Sequence, residues 1–254
     1  MNNSSRWTDR SGSLAVLAAV IALWWLASHR QWISPVFLPT PVAAATSLVE
    51  GLAAGPLVGF AAATVLRMLL GWLLASLLGI VLGAAIGSSA TARAWLQPML
   101  EFLRPLPASA LMPLAIAMFG LSPGMVLFVV AFGAMWPVLL ATVHGFAAVH
   151  ARLGEVSQAL QLSKSAHMLK IALPNALPDI LSGMRLALTV ALIVAVVGEM
   201  IGSQSGLGQA ILLAARSFRA SELFAGVMLL GAIGFASSAL LTWAERRLLR
   251  WQAA

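Results

Sequence analysis

The sequence predicts an all-α membrane protein of about six transmembrane helices. Three observations carry that prediction. Of 254 residues, 61% are hydrophobic and 9% charged, against about 25% charged in ordinary soluble domains. Apolar runs of roughly 20 residues, enough to cross the hydrocarbon of a bilayer, recur along the chain. The arginines and lysines then fall unevenly on alternate sides of those runs, as the positive-inside rule requires.

The first run, Leu14–Ala27, follows Arg6 and Arg10. A secretory signal peptide has the same look, but five further runs follow, which favours an uncleaved first helix. Next comes "SPVFLPTPVAAATSLVEGLAAGP". Pro35 and Pro39 hold off an early helix, and Pro41 suits a first helical turn, so a short amphipathic helix near the outer surface is expected. The remaining runs are Thr64–Gly87, Pro98–Phe119, Met125–Phe146, Leu181–Ile201 and Leu223–Trp243. An even number of crossings puts both ends on one side. With that side cytoplasmic, Arg6, Arg10, Arg93, Arg152, Lys164, Lys170, Arg246, Arg247 and Arg250 lie inside. Arg30, Arg216 and Arg219 lie outside, and Arg67, Arg104 and Arg185 sit near or within spans. Both termini are therefore expected inside. Residues 1–60 read as an N-terminal helix with an external segment. Residues 61–250 read as a transmembrane domain carrying a polar cytoplasmic segment at 150–178.

Several functions are excluded. The net charge of +7 is scattered between apolar runs and forms no continuous basic face, so nucleic acid is not a partner. With no cysteine, disulfides and thiolate chemistry are out. A phosphate-cradling loop needs a glycine-rich turn ending in Gly-Lys, and Lys164 and Lys170, the only lysines, do not follow a glycine. His29, His144, His150 and His167 are dispersed, without metal-ligand spacing. There is no paired carboxylate and no nucleophile beside a base, which disfavours an intramembrane enzyme.

Within the second run, Gly71, Ala75, Gly79, Gly83 and Gly87 recur every fourth residue. Such a small-residue stripe lets another helix approach closely. Packing within the chain is the default partner, and a seam between two copies is the alternative. The third run holds Pro98, Pro105, Pro107 and Pro113, so it should be bent, and its freed carbonyls should be buried in protein. Glu101 and Arg104 stand three apart and can pair on one face. Glu199 sits just before "MIGSQSGLG", where Gly202, Gly206 and Gly208 point to an irregular loop. It either lines a pathway or bonds to that backbone. Arg185 is placed to snorkel toward the near surface.

The most polar stretch is "EVSQALQLSKSAHMLKIALPNALPDI", Glu155–Ile180. Val156, Ala159, Leu160 and Leu162 alternate with Glu155, Ser157, Gln158 and Gln161 as a short helix with one apolar side. A second short helix, Ala166 to Leu173, should end at Pro174, forcing a bend before the next span. A plain interfacial connector has the same pattern.

This stretch resembles the cytoplasmic signature of inner-membrane permeases of binding-protein-dependent ABC importers, approximately E-A-A-x3-G-x11-L-P. Glu155, Leu173 and Pro174 match. Val156 and Ser157 replace the alanine pair, and Gln161 replaces the glycine. A helix-tolerant glutamine there is expected to extend the first helix. "FLRPLPASALMPL", "LPNALPDILSGMRLAL", "GEMIGSQSGLG" and "ERRLLRW" resemble the sulfonate, taurine and nitrate branch of these permeases, in the same order. The resemblance implies a type I importer permease bundle in the bacterial inner membrane, paired with a second copy of the chain. It implies two cytoplasmic ATP-binding subunits, which hold the ATP and Mg while this chain binds no cofactor, and an external solute-binding protein. It assigns Glu155, Val156, Ser157, Ala159, Leu160, Gln161, Leu173 and Pro174 to docking the ATPase. The solute implied is a small organosulfonate- or nitrate-like anion. Polar residues on spans, Thr142, Ser182, Thr189 and Glu199, are the candidates for its pathway, although an anion calls for arginine or backbone N–H contacts rather than a carboxylate. A stand-alone secondary transporter is the alternative, but the middles of the spans are almost free of the charges it would use.

Overall fold

The computed structural model describes residues 3–249, and among them the regular structure is helical throughout. Arg250 and Trp251, at the end of the "ERRLLRW" block, lie outside the described residues. The helices are α1 (Asn3–His29), α2 (Pro41–Ala53), α3 (Leu57–Gly87), α4 (Ala90–Leu103), α5 (Met112–Phe119), α6 (Pro123–Ala147), α7 (Ala151–Ala159), α8 (Lys164–His167), α9 (Leu173–Gly202), α10 (Leu207–Arg216) and α11 (Ala220–Leu248). Leu57–Gly87, Pro123–Ala147, Ser165–Gly202 and Ala220–Leu248 are long and apolar enough to cross a membrane, and α4 with Ala108–Phe119 would make a fifth, broken span. Among the described residues, Ala15–His29 of α1 is a shorter apolar helix, about 22 Å at 1.5 Å per residue.

The chain forms two compact units, Met1–Ala61 with Ala210–Gly231, and Ala62–Gln209 with Ala232–Ala254. In the first, α2 starts where the prolines place it, with Pro41 in its opening turn and Thr40 as N-cap, its Oγ1 accepting from the Ala43 N–H at 3.2 Å. Trp24 donates its indole N–H to the Pro39 carbonyl at 2.9 Å and stacks on Phe224.

The second unit is built around α6. Val126, Val129, Val130 and Val138 are fully buried there, with Met68 of α3 and Ala187, Ala191 and Ala195 of α9. The small-residue stripe of α3 faces this helix. A Cβ on Gly79 would sit 2.9 Å from the Val138 Cβ, one on Gly83 2.6 Å from the Thr142 Cβ, and one on Gly87 2.8 Å from the Phe146 Cβ. Gly71 meets Val130 in the same way. The stripe therefore serves packing within the chain, where only a bare Cα allows the backbones so close. Trp72 adds a hydrogen bond from its indole N–H to the Met184 carbonyl of α9 at 2.8 Å.

Three expectations are corrected here. The third run is broken, with α4 and the following piece at 83°, but α4 is not buried in the bundle. None of its residues is buried, and Trp95 and Phe102 are 79% and 77% exposed. The break falls after Arg104: Pro105 has no N–H to continue the ladder onto the Glu101 carbonyl, and the Leu106 N–H turns back to the Leu103 carbonyl at 3.2 Å. Glu101 does not pair with Arg104; it accepts from Gln97 Nε2 at 2.9 Å, one helical turn back. Arg185 does not snorkel free either. It is ion-paired with Glu245 of α11, because a carboxylate within reach is a better partner than distant headgroups.

Candidate functional site

The polar stretch folds as α7, a tight turn, α8, and a π-helical turn over Met168–Ala172 that runs directly into α9. The turn closes as a Schellman motif, with Leu162 N–H on the Ser157 carbonyl and Gln161 N–H on the Gln158 carbonyl, both 3.0 Å. Gln161 takes φ 47°, the left-handed region. The predicted extension of α7 through Gln161 is thus overturned. The six-to-one bond and the new start at Ser163, whose Oγ accepts from Ala166 N–H at 3.2 Å, outweigh the cost of a left-handed glutamine.

Pro174 does not bend the chain away as predicted. Helix continues from Ser165 to Gly202. The Leu173 N–H bonds to the Met168 carbonyl, five residues back, and the wider π turn makes room for the proline ring just where it would clash with an α-helical carbonyl. Pro178 then passes inside α9. Leu173 and Pro174 lie on the first turn of this helix, joined to the α7 residues by the intervening turn and α8.

On α7 and its C-cap, Glu155, Val156, Ala159 and Leu160 are exposed, Val156 at 48% and Leu160 at 64%, while Ser157 is 7% exposed. One face of the short helix is held by the bundle and the other offers apolar side chains beside a carboxylate. For residues that must meet another protein, that is the arrangement to look for.

The four pathway candidates do not come together. Thr142 is fully buried and donates to the Val138 carbonyl at 2.7 Å, because its methyl side fills the space left by Gly83. Glu199 is also fully buried. Its carboxylate accepts from Arg67 Nη1 at 2.8 Å, Thr64 Oγ1 at 2.9 Å and Gly208 N–H at 3.0 Å. Thr64 Oγ1 also accepts from Leu207 N–H, and Arg67 donates to the Ser205 carbonyl. Every acceptor of Glu199 is engaged in holding the glycine-rich loop to α3, so neither it nor Thr142 lines a pathway in this chain. Ser182 and Thr189 are exposed and two turns apart on one face of α9, in line with exposed Leu186 and Ile193.

Sequence reasoning missed Arg67. Its signal was available, since an arginine inside an apolar run needs a counter-charge, and Glu199 is a carboxylate near the end of another. It also missed a cleft of about 520 Å³ beside that face of α9, lined by Leu186, Val190, Trp136 and Pro137, with Arg104 as its ionisable side chain. Among the described residues, no three His, Asp or Glu side chains cluster to hold a metal.

Comparison with known proteins follows the same lines. Residues 75–250 match the family described as "Binding-protein-dependent transport system inner membrane component". The chain is 34% identical over 239 residues to the "Putative aliphatic sulfonates transport permease protein" of Bacillus subtilis (strain 168), covering 94% of this chain and 87% of that one. It is 31% identical over 244 residues to the taurine transport system permease protein of Escherichia coli (strain K12), covering 94% and 89%. Among solved structures, an inward-facing methionine ABC transporter superposes with a TM-score of 0.63 at 17% identity, over 74% of this chain and 92% of that one. An amino acid ABC transporter superposes at 0.61 and 20% identity, over 79% and 98%.

Proposed function

The chain belongs to the family of binding-protein-dependent transport system inner membrane components, and from that premise we propose that it forms the solute pathway of an ATP-driven importer. It is a multi-pass membrane protein. The ATP hydrolysis belongs to a separate subunit, and the solute is delivered by an external binding protein. We place two copies of this chain side by side over two copies of the ATPase, with both termini of each in the cytoplasm.

The observation that carries this reading is the two-faced α7. Buried Ser157 seats the helix, and exposed Glu155, Val156 and Leu160 are left for a partner. Glu155, Val156, Ser157, Ala159, Leu160, Gln161, Leu173 and Pro174 are the proposed coupling residues. Closure of the ATPase pair would push on this segment and rock the two bundles between inward and outward access.

For the solute we propose a small oxyanion of the sulfonate or nitrate type. Relatives named for aliphatic sulfonates and taurine support it. So does the cleft with Arg104 beside the Ser182–Thr189 face of α9, which supplies the cation an anion calls for. With Thr142 and Glu199 withdrawn, Ser182, Thr189 and Arg104 are the pathway residues we retain.

The test is native mass spectrometry of the tagged chain drawn from its own membrane in mild detergent. Two copies with two copies of a P-loop ATPase are expected. Recovery of this chain alone, with ion-driven uptake in liposomes, would overturn the importer reading. The solute assignment is tested separately by screening oxyanions against the co-expressed binding protein, where a ligand with no sulfonate- or nitrate-like oxyanion group would sink it.

A further inference from the structure

Behind α7 lies a cleft of about 830 Å³, between the α3–α4 corner, the end of α6 and the α7–α8 segment. Its polar wall is formed by Ser89, Arg93, Ser157, Gln158 and His167. Ser157 is more than nine-tenths buried, yet its hydroxyl has no hydrogen-bond partner among the described residues. The oxygen is not sealed off from solvent, so it is reached from the cleft and can donate to an acceptor held there. Arg93 gives one donor to the Gly87 carbonyl at 3.1 Å and meets no carboxylate among the described residues. A guanidinium has five donors, and the rest are left for the cleft.

The surrounding field has one sign. No carboxylate lines the cleft. Helix α4, of 14 residues, opens at it with Ser89 as N-cap, adding the partial positive charge of a helix N-terminus. The opposite wall is apolar, with Phe146, Val149 and Met168. The whole is too large for a lone ion and suits one attached to something greasy. Basic pockets at the cytoplasmic ends of membrane helices take phosphate headgroups for this reason.

We propose that this cleft binds a phosphate-type oxyanion, held by Arg93, Ser157 and His167, with the apolar wall taking whatever the anion is attached to. The bound group ties α4 to α7 and α8, and so braces the segment whose opposite face is exposed. Two sources share the chemistry, a soluble phosphate and the headgroup of an anionic phospholipid.

The experiment uses the full chain, delipidated in detergent, with binding followed by thermal unfolding and native mass spectrometry. The probes are inorganic phosphate, phosphatidylglycerol, and diacylglycerol as the phosphate-free control. Saturable stabilisation by phosphate or phosphatidylglycerol is expected, and none by diacylglycerol. Arg93→Gln should weaken it at least about tenfold, as expected for a charge-assisted contact, and Ser157→Ala about threefold. Ser157→Ala breaks no hydrogen bond to another side chain, so it reports even if loss of the Gly87 bond unsettles Arg93→Gln. Phosphate binding that these variants weaken supports the site and assigns a soluble ligand. Phosphatidylglycerol binding that they weaken, with phosphate inert, supports it and assigns a lipid. No saturable binding of either, or binding indifferent to both variants, overturns the proposal.

Discussion

The two ends of α9 are built on opposite plans. At the C-terminal end, Glu199 is sealed from solvent and held by Arg67, Thr64 and Gly208, and the glycine-rich loop folds over it. At the N-terminal end the helix is widened by a π turn, carries Pro174 and Pro178, and joins a short helix with Val156 and Leu160 exposed. Charge inside an apolar span has to be closed off by partners within the chain, since an orphan there is expensive. Apolar groups at an aqueous surface can wait for a partner from outside. One end is therefore finished by the chain itself, and the other is left for something else to complete.

The largest effect should come from breaking the finished end. Glu199→Ala leaves Arg67 with no carboxylate partner, and a loss of about 3–5 kcal/mol is expected, read as a lower melting temperature in detergent. Changing both residues to methionine should recover most of that loss, because the charge goes with its partner. Second in size is the seam that carries both ends. Gly79→Leu drives a side chain into Val138 and the Leu139 backbone, at about 1–3 kcal/mol, with the same readout. Third, Gln161→Gly removes the strain of a left-handed side chain at the open end and should stabilise by under about 1 kcal/mol, part of the gain being offset by a freer unfolded chain. Smallest in stability is Glu155→Arg, within about 0.5 kcal/mol of wild type. Its expected effect is elsewhere: membrane insertion is normal, but the ATPase is lost in pull-down or its hydrolysis is uncoupled from uptake. If Glu155→Arg unfolded the chain while Glu199→Ala did not, the contrast between the two ends would be the wrong way round.

Much of this was legible in the residues. Spacing by four placed Gly71, Gly79, Gly83 and Gly87 on one face, because helical period alone fixes which residues align. Pro41 and Thr40 marked the start of α2 through local chemistry. Prolines were read less well, because their effect depends on neighbours the sequence does not display. Pro105 and Pro107 fall in the same turn and break the third span, whereas Pro174 is absorbed by a π turn and Pro178 and Pro137 pass inside long helices. The polar residues of the spans were legible as unusual but not as partners. Thr64, Arg67 and Glu199 are brought together from helices more than 130 residues apart, and no local pattern reports such a distance. Gln161 was misread for the opposite reason. Its propensity favours helix, and the turn around it overrides that preference.

The uninterrupted helix from Ser165 to Gly202 has a mechanical meaning. Its 38 residues span about 57 Å at 1.5 Å per residue, nearly twice the roughly 30 Å thickness of bilayer hydrocarbon. It lies against α6 from Ala176, beside Gly145, through Gly183, Ala187 and Ala191 to Ala195, so it does not swing alone. Any tilt carries α6 with it as one stiff pair, and a tilt of about 10° over that length moves one end past the other by roughly 10 Å, of the order of one helix diameter. A displacement at the α7 and α8 end would therefore reach the ionic clamp as movement of the pair, not as bending between its ends.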